Sequence, residues 1–204
     1  MNDNMTQIWG PLGWMTLHSI SVGYPEFPSE LDKQQLNVFM EAFSQSITCP
    51  SCRDHFLSMF SKYKTNVPNW NSTRYNLFLA ICRMHNSVNK RLDKPYPKNV
   101  AECISTLKNA TSVTSQMEFR EKYFNHVIRN WESLSNYPGT FIPLQNARTM
   151  KQIHDNYWKN YMTPYDNLNF PESDVNEFNN NVIYNVPNFR NSNNGLLKLL
   201  RGGR

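Results

Sequence analysis

Apolar positions recur three and four residues apart through most of the chain, the spacing of helices that bury one face. In residues 10–22, Trp14, Leu17, His18 and Ser21 fall on one side, and Pro25 and Pro28 then break the pattern. Ser29 and Asp32 stand at capping-box spacing, with Asp in place of the usual Glu. The helix they open carries Leu36, Phe39, Met40, Phe43 and Ile47 on its apolar face. Pro50 suits the first position of a third helix, with Cys49 at its cap. That helix buries Phe56, Met59, Phe60 and Tyr63 and ends before Pro68. Ser72 or Thr73 opens a fourth, whose stripe runs from Tyr75 through Phe78, Leu79, Cys82, His85 and Asn89 to Leu92. Lys94-Pro95 stops it. A short helix over 100–107 carries Cys103. No alternating run has the length of a strand and no βαβ rhythm appears. The pattern predicts an all-α fold: a four-helix bundle with one additional short helix.

Beyond residue 108 the character changes, which divides the chain into 1–108 and an extension over 109–204. The spacing predicts a helix over 115–134, with Ser115 and Glu118 at capping-box spacing and Phe119, Tyr123, Val127 and Trp131 as its apolar contacts. Another is expected over about 145–161. Trp131, Tyr157, Trp158 and Tyr161 are available to cover the core or to face a partner. From Pro164 onward Asn dominates, yet Phe170, Phe178, Val182, Ile183, Tyr184 and Phe189 persist among the asparagines. Such a segment reads as an irregular arm that needs a surface to lie on. The last nine residues, Leu196 onward, are too short to anchor in a membrane and read as a frayed tail.

Composition narrows the function classes. No apolar run approaches the roughly 18 residues of a spanning helix, and the opening residues lack the basic start and apolar stretch of a signal peptide. Only 7 glycines argue against Gly-rich phosphate loops. The net charge of +5 permits anionic partners, but Lys and Arg are scattered as on an ordinary solvated surface, so nucleic acid is not expected.

Four cysteines are too few for a disulfide scaffold of this size, and all lie between 49 and 103. Cys49 and Cys52 form a Cys-x-x-Cys pair at a predicted helix N-terminus, where backbone N–H groups and the helix dipole favour a thiolate. Three readings are open. Cys49, Cys52, Cys82 and His85 have finger-like spacing for a zinc-stabilised interaction module. A thioredoxin-like fold needs strands around the motif, and the chain offers none. A helical flavin-dependent thiol oxidase requires flat aromatic walls and polar groups at a ring edge. Trp14 and His18 share one helix face, and His85 and Asn89 share another.

The order and spacing of three blocks, WGPLGWMTLHSISVGYP, CPSCRDHF and CRMHNSVNKRLDKPYP, followed by Cys103, resemble the Erv/ALR family of FAD-dependent sulfhydryl oxidases over about residues 8–104. The Asn-rich extension on a minimal core is similar to oxidases of large cytoplasmic DNA viruses. The resemblance implies FAD as cofactor and a redox-active pair in which Cys52 lies against the flavin and Cys49 exchanges with substrate thiols. It implies that Trp14, His18 and Tyr24 pack around the flavin, with His55 as a further neighbour. Cys82, His85, Asn86, Val88 and Asn89 match the segment that clasps adenine and ring. Lys90, Lys94 and Tyr96 are implied for the phosphates and adenine. Cys82 and Cys103 match a structural disulfide; no metal is implied.

Two departures stand out. Pro11 follows Gly10 where the family often has Arg, and 20 residues separate Cys82 from Cys103, a longer interval than usual. With no second Cys-x-x-Cys, protein thiols are expected to reach Cys49 directly or through a small dithiol carrier protein. Oxygen is the implied electron acceptor. The resemblance further suggests a homodimer through the early helices, and the host cytoplasm or virion as the location.

Overall fold

The computed structural model describes residues 3–176, and for residues 3–7 the backbone alone. The expectations for Phe178, Val182, Ile183, Tyr184, Phe189 and the Leu196 tail lie outside the described residues. Seven helices follow one another: α1 (Asp3–Gly23), α2 (Glu30–Ser46), α3 (Pro50–Asn66), α4 (Arg74–Arg91), α5 (Val100–Thr111), α6 (Gln116–Ser133) and α7 (Phe141–Asn156). Two single 3-10 turns, Trp158–Asn160 and Tyr165–Asn167, complete the set. The described residues form no strand, only an isolated antiparallel bridge between Asn99 and Asp174.

The caps explain most of the boundaries. Ser29 Oγ accepts from the Asp32 N–H at 3.2 Å while Asp32 Oδ2 accepts from the Ser29 N–H at 2.7 Å, so the box opening α2 is complete. Thr73, rather than Ser72, caps α4 by accepting from the Asn76 N–H at 3.1 Å. Ser115 accepts from the Glu118 N–H at 3.1 Å and starts α6. Two helices begin earlier than the pattern predicts. α7 starts at Phe141 because Pro143 falls in its first turn, where no N–H is needed. α1 starts at Asp3 and holds Pro11 in its interior, forgoing one intrahelical hydrogen bond.

The core runs across residue 108. α6 lies on α1 and α7 on α2, while α1 also packs on α4 and α2 on α3. Phe39, Phe43, Met59, Phe60 and Tyr63 from the first half are buried in one cluster with Tyr123, Phe124, Val127, Met150 and Trp158 from the second. Burying each such side chain contributes about 1.5–3 kcal/mol. Contact is close enough to require small residues on α1. A methyl at Gly13 would meet the Tyr123 ring at 3.0 Å, and one at Gly23 would overlap the Tyr161 carbonyl.

A buried arginine bolts the halves together. Arg120 is fully enclosed and donates to Ser19 Oγ at 2.8 Å, Ser19 O at 2.9 Å, Trp158 O at 2.9 Å and Tyr161 O at 3.2 Å. Ser19 in turn donates to Gln116 Oε1 at 2.9 Å, and Gln116 donates to Thr163 O at 2.9 Å. After this point the chain turns back over α4 and α5. Phe170 packs against Tyr75 and Phe78 of α4. Val175 is buried in a second cluster with Phe78, Cys82, Val100, Cys103, Leu107 and Tyr165. The expectation that the arm lies on a surface holds over these residues, because their apolar side chains have the α4–α5 seam to cover.

Candidate functional site

Cys49 and Cys52 are joined by a disulfide at the start of α3. Cys49 is the N-cap, and its Sγ accepts from the Cys52 N–H at 3.3 Å. Pro50 lends the helix a preset φ at its first position. The N-terminal end of the helix dipole then favours negative charge on either sulfur once the bond is opened. The Ser51 hydroxyl lies 3.4 Å from Cys49 Sγ.

Cys52, not Cys49, opens onto a cleft of about 40 Å³ whose walls include Trp14, His55, Phe56 and Val88. α1 supplies Trp14, α3 supplies Cys52, His55 and Phe56, and α4 supplies Val88. Trp14 stacks face to face on His85, with centroids 4.4 Å apart and planes 8° apart, and lies 5.8 Å from Phe56. Behind this stack His18 Nε2 and His85 Nδ1 share a hydrogen bond of 3.0 Å. One ring must donate and the other accept, which suits two uncharged imidazoles. Burial, then the neighbouring His85, hold His18 well below its ordinary pKa. Burial, then the charge of Lys94, push His85 down to about 3. Burial, then Arg91, bring His55 to about 4.

The other sequence-predicted residues are not gathered at this cleft. Tyr24 closes the far end of α1, with its hydroxyl on Asn71 O at 3.1 Å and its ring on Trp158. Asn86 faces the α4–α5 connection, donating to Pro97 O at 2.7 Å and Asn176 Oδ1 at 3.2 Å. Asn89 O accepts from the Lys94 N–H at 2.9 Å and so ends α4. Lys90 and Lys94 are exposed, and Asn89 and Tyr96 are half-buried. The cleft also holds Trp9 and Arg91, which the sequence reading did not single out. Starting the first helix at residue 10 left Trp9 outside it. Arg91 was legible as the residue three after Val88, on the same helix face.

The zinc tetrad is corrected. Cys49 and Cys52 spend their sulfurs on each other, and the four residues do not converge. What does gather is His18 with Cys82 and Cys103, whose ligand atoms lie within 4.8 Å of one another. Cys82 and Cys103 are free, buried thiols lying side by side across α4 and α5. Burial, then the neighbouring Cys103, push the Cys82 thiol well above its ordinary pKa, so it is protonated and unreactive as it stands.

Comparison with known proteins gives the same chemistry to its relatives. The model of the Erv1 / Alr family matches residues 12–126, more than half of the chain. A protein of Invertebrate iridescent virus 3 is 33% identical over 89 residues, covering 44% of this chain and 59% of that one. The FAD-linked sulfhydryl oxidase of African swine fever virus (isolate Tick/Malawi) is 33% identical over 86 residues, 42% of this chain and 69% of that one. The mitochondrial FAD-linked sulfhydryl oxidase ERV1 of Saccharomyces cerevisiae is 36% identical over 87 residues, 42% of this chain and 43% of that one. The chain thus spans between 43% and 69% of these relatives' own lengths. No solved structure matches it. No helix of the described residues is long and apolar enough to cross a membrane.

Proposed function

The chain belongs to the Erv1 / Alr family, and on that premise we propose that it is an FAD-linked thiol oxidase, converting two thiols and oxygen into a disulfide and hydrogen peroxide. The observation that carries the proposal is the Cys49–Cys52 disulfide at the start of α3, with Cys52 alone of the pair opening on the Trp14 cleft.

The residues at the cleft fit the cofactor by chemistry. Trp14 and Phe56 line the cleft with flat rings, and His85 backs Trp14. Trp9 Nε1 is buried at the cleft with no partner among the described residues, and its N–H would meet an acceptor on a ring edge. Arg91 lines the cleft and Lys94 acts on His85, so both bring positive charge for phosphates. The cleft as it stands has room for about one water molecule. FAD, when bound, accepts the electron pair of the dithiol and passes it to oxygen.

The chain's own residues do the rest. A substrate thiolate attacks Cys49 Sγ, the S–S bond breaks, and the electron pair leaves on Cys52 Sγ. The N-terminus of α3 steadies that thiolate. A second substrate thiolate displaces Cys49 from the mixed disulfide, leaving the substrate disulfide and a reduced Cys49–Cys52 pair. Cys52 is the sulfur from which the pair's two electrons would pass to bound FAD, with both thiol protons released as the Cys49–Cys52 bond re-forms. Phe56, Val88 and Trp14 give the inner sulfur a largely apolar surround. Protein thiols, offered directly or by a small dithiol carrier protein, are the substrates in this reading, and the host cytoplasm or virion is the location the resemblance suggests. A homodimer through the early helices would have to use the faces of α1 and α2 that α6 and α7 do not cover. Ile8 on α1 and Leu31 and Val38 on α2 are large apolar side chains of these helices that stay exposed.

The test is an absorption spectrum of the purified chain. Flavin bands that bleach with an anaerobic dithiol and return in air are expected, and Cys52→Ser should keep the bands but lose the bleaching. A colourless protein that takes up no FAD would overturn the proposal.

A further inference from the structure

The connection between α4 and α5, residues 92–99, carries Lys94 and Tyr96. Its first half is tied to α4 by the Lys94 N–H on Asn89 O at 2.9 Å. Its second half is held by a segment from far along the chain. The Val175 N–H and Asn176 Nδ2 both donate to Lys98 O, at 3.1 and 3.3 Å. The Val100 N–H donates to Ser173 O and to Glu172 Oε1, each at 3.1 Å. Asn99 and Asp174 form the one isolated bridge.

The same segment is fastened to α4. The Tyr75 hydroxyl donates to Pro171 O at 3.1 Å, and Phe170 sits 4.9 Å from Phe78. Val175 is fully buried against Cys82 and Cys103. Residues 170–176 thus bridge α4 and α5 without a covalent bond, over the seam where two free thiols lie.

The strap also sets Asn86. Pro97 O is an acceptor only, so the nitrogen of the Asn86 amide must face it, and the second N–H goes to Asn176 Oδ1. Both amide hydrogens are engaged, which orients Asn86 Oδ1 as an acceptor. Asn176 completes the chain by donating onward to Lys98 O. One side chain therefore couples the orientation of Asn86 to the anchoring of the 92–99 connection.

We propose that residues 170–176 are a retention strap for the cofactor, with Asn176 as a positioning residue that presents Asn86 and holds the Lys94–Tyr96 connection. The inference rests on the FAD reading above. A site whose parts are held in place before binding loses less entropy on binding and releases its ligand more slowly. Freeing the strap should therefore act on FAD release rather than on the dithiol.

The experiment follows FAD release from the full-length holoprotein by the rise of flavin fluorescence on dilution. Asn176→Ala is expected to speed release about tenfold, and Phe170→Ala by at least as much, with helical circular dichroism and reduction of the Cys49–Cys52 pair unchanged. Asn176→Asp keeps an acceptor for Asn86 but cannot donate to Lys98 O, so it should recover only the part of the slow release that runs through Asn86. In an Asn86→Ala background the Asn176→Ala change should add less than it does alone, since the hydrogen bond between the two is already gone and only the bond to Lys98 O remains to be lost. Should Phe170→Ala fail to fold, the half-buried Asn176 variants decide. Release within twofold of wild type for Asn176→Ala overturns the strap while leaving the oxidase reading intact. A wild-type chain that neither carries nor takes up FAD overturns both.

Discussion

At the scale of single residues, neutral histidines stand beside a disulfide. His85 and His55 have pKa values of about 3 and 4 against an ordinary 6.5. A histidine whose folded pKa is depressed takes its proton first in the unfolded chain. Stability is therefore level above about pH 6.5 and falls as pH drops, until the folded protein is protonated too. Urea unfolding should show a midpoint that declines from pH 6.5 towards 3 and is flat from 7 to 8. His85→Gln should remove part of the decline between pH 6.5 and 5, before carboxylates contribute; an unchanged slope there would show that His85 is not the buried neutral group described. The residue types were readable in advance, because Cys-x-x-Cys and Trp-x-x-x-His are local spacings. The hydrogen bond from His18 to His85 spans 67 positions, and nothing local announces it.

At the scale of elements, the join between α1 and α6 depends on a cation with no carboxylate partner. Arg120 rests on one hydroxyl and three carbonyl oxygens, and burial brings it down to about 10, still charged at neutral pH. Arg120→Ala would strand those acceptors and leave a cavity, a loss of about 2–4 kcal/mol. Chemical denaturation is the measurement. Gly23→Ala should cost a similar amount, because the Tyr161 carbonyl occupies the place of the new methyl. Helix starts were legible wherever a cap bond is made within four residues, as at Ser29, Thr73 and Ser115. They were less so at α1 and α7, where a proline inside the element looks like a boundary unless the first turn is already placed.

At the scale of the whole molecule, the second half completes the core that the first half begins. Tyr123, Phe124, Val127 and Trp158 fill space between α1 and α2, and the Trp131 indole donates to Ser46 O at 2.7 Å, three residues before Cys49. A chain ending at residue 108 would expose these faces to water. It is expected to lose cooperative thermal unfolding and to aggregate, as read by circular dichroism and light scattering. A soluble, cooperatively folding fragment would show instead that residues 1–108 are an independent domain.

The sequence alone determined the helical class, the order of the helices, the Cys-x-x-Cys pair and the family, since each rests on residues at most a few positions apart or on an ordered set of short blocks. Tertiary structure decided which cysteine opens on the cleft, how Trp14 and His85 stack, that Trp9 and Arg91 join them, and that the segment 170–176 reaches Asn86. Those outcomes depend on how distant faces pack, and a periodic pattern says that a face is apolar without saying which other face will cover it.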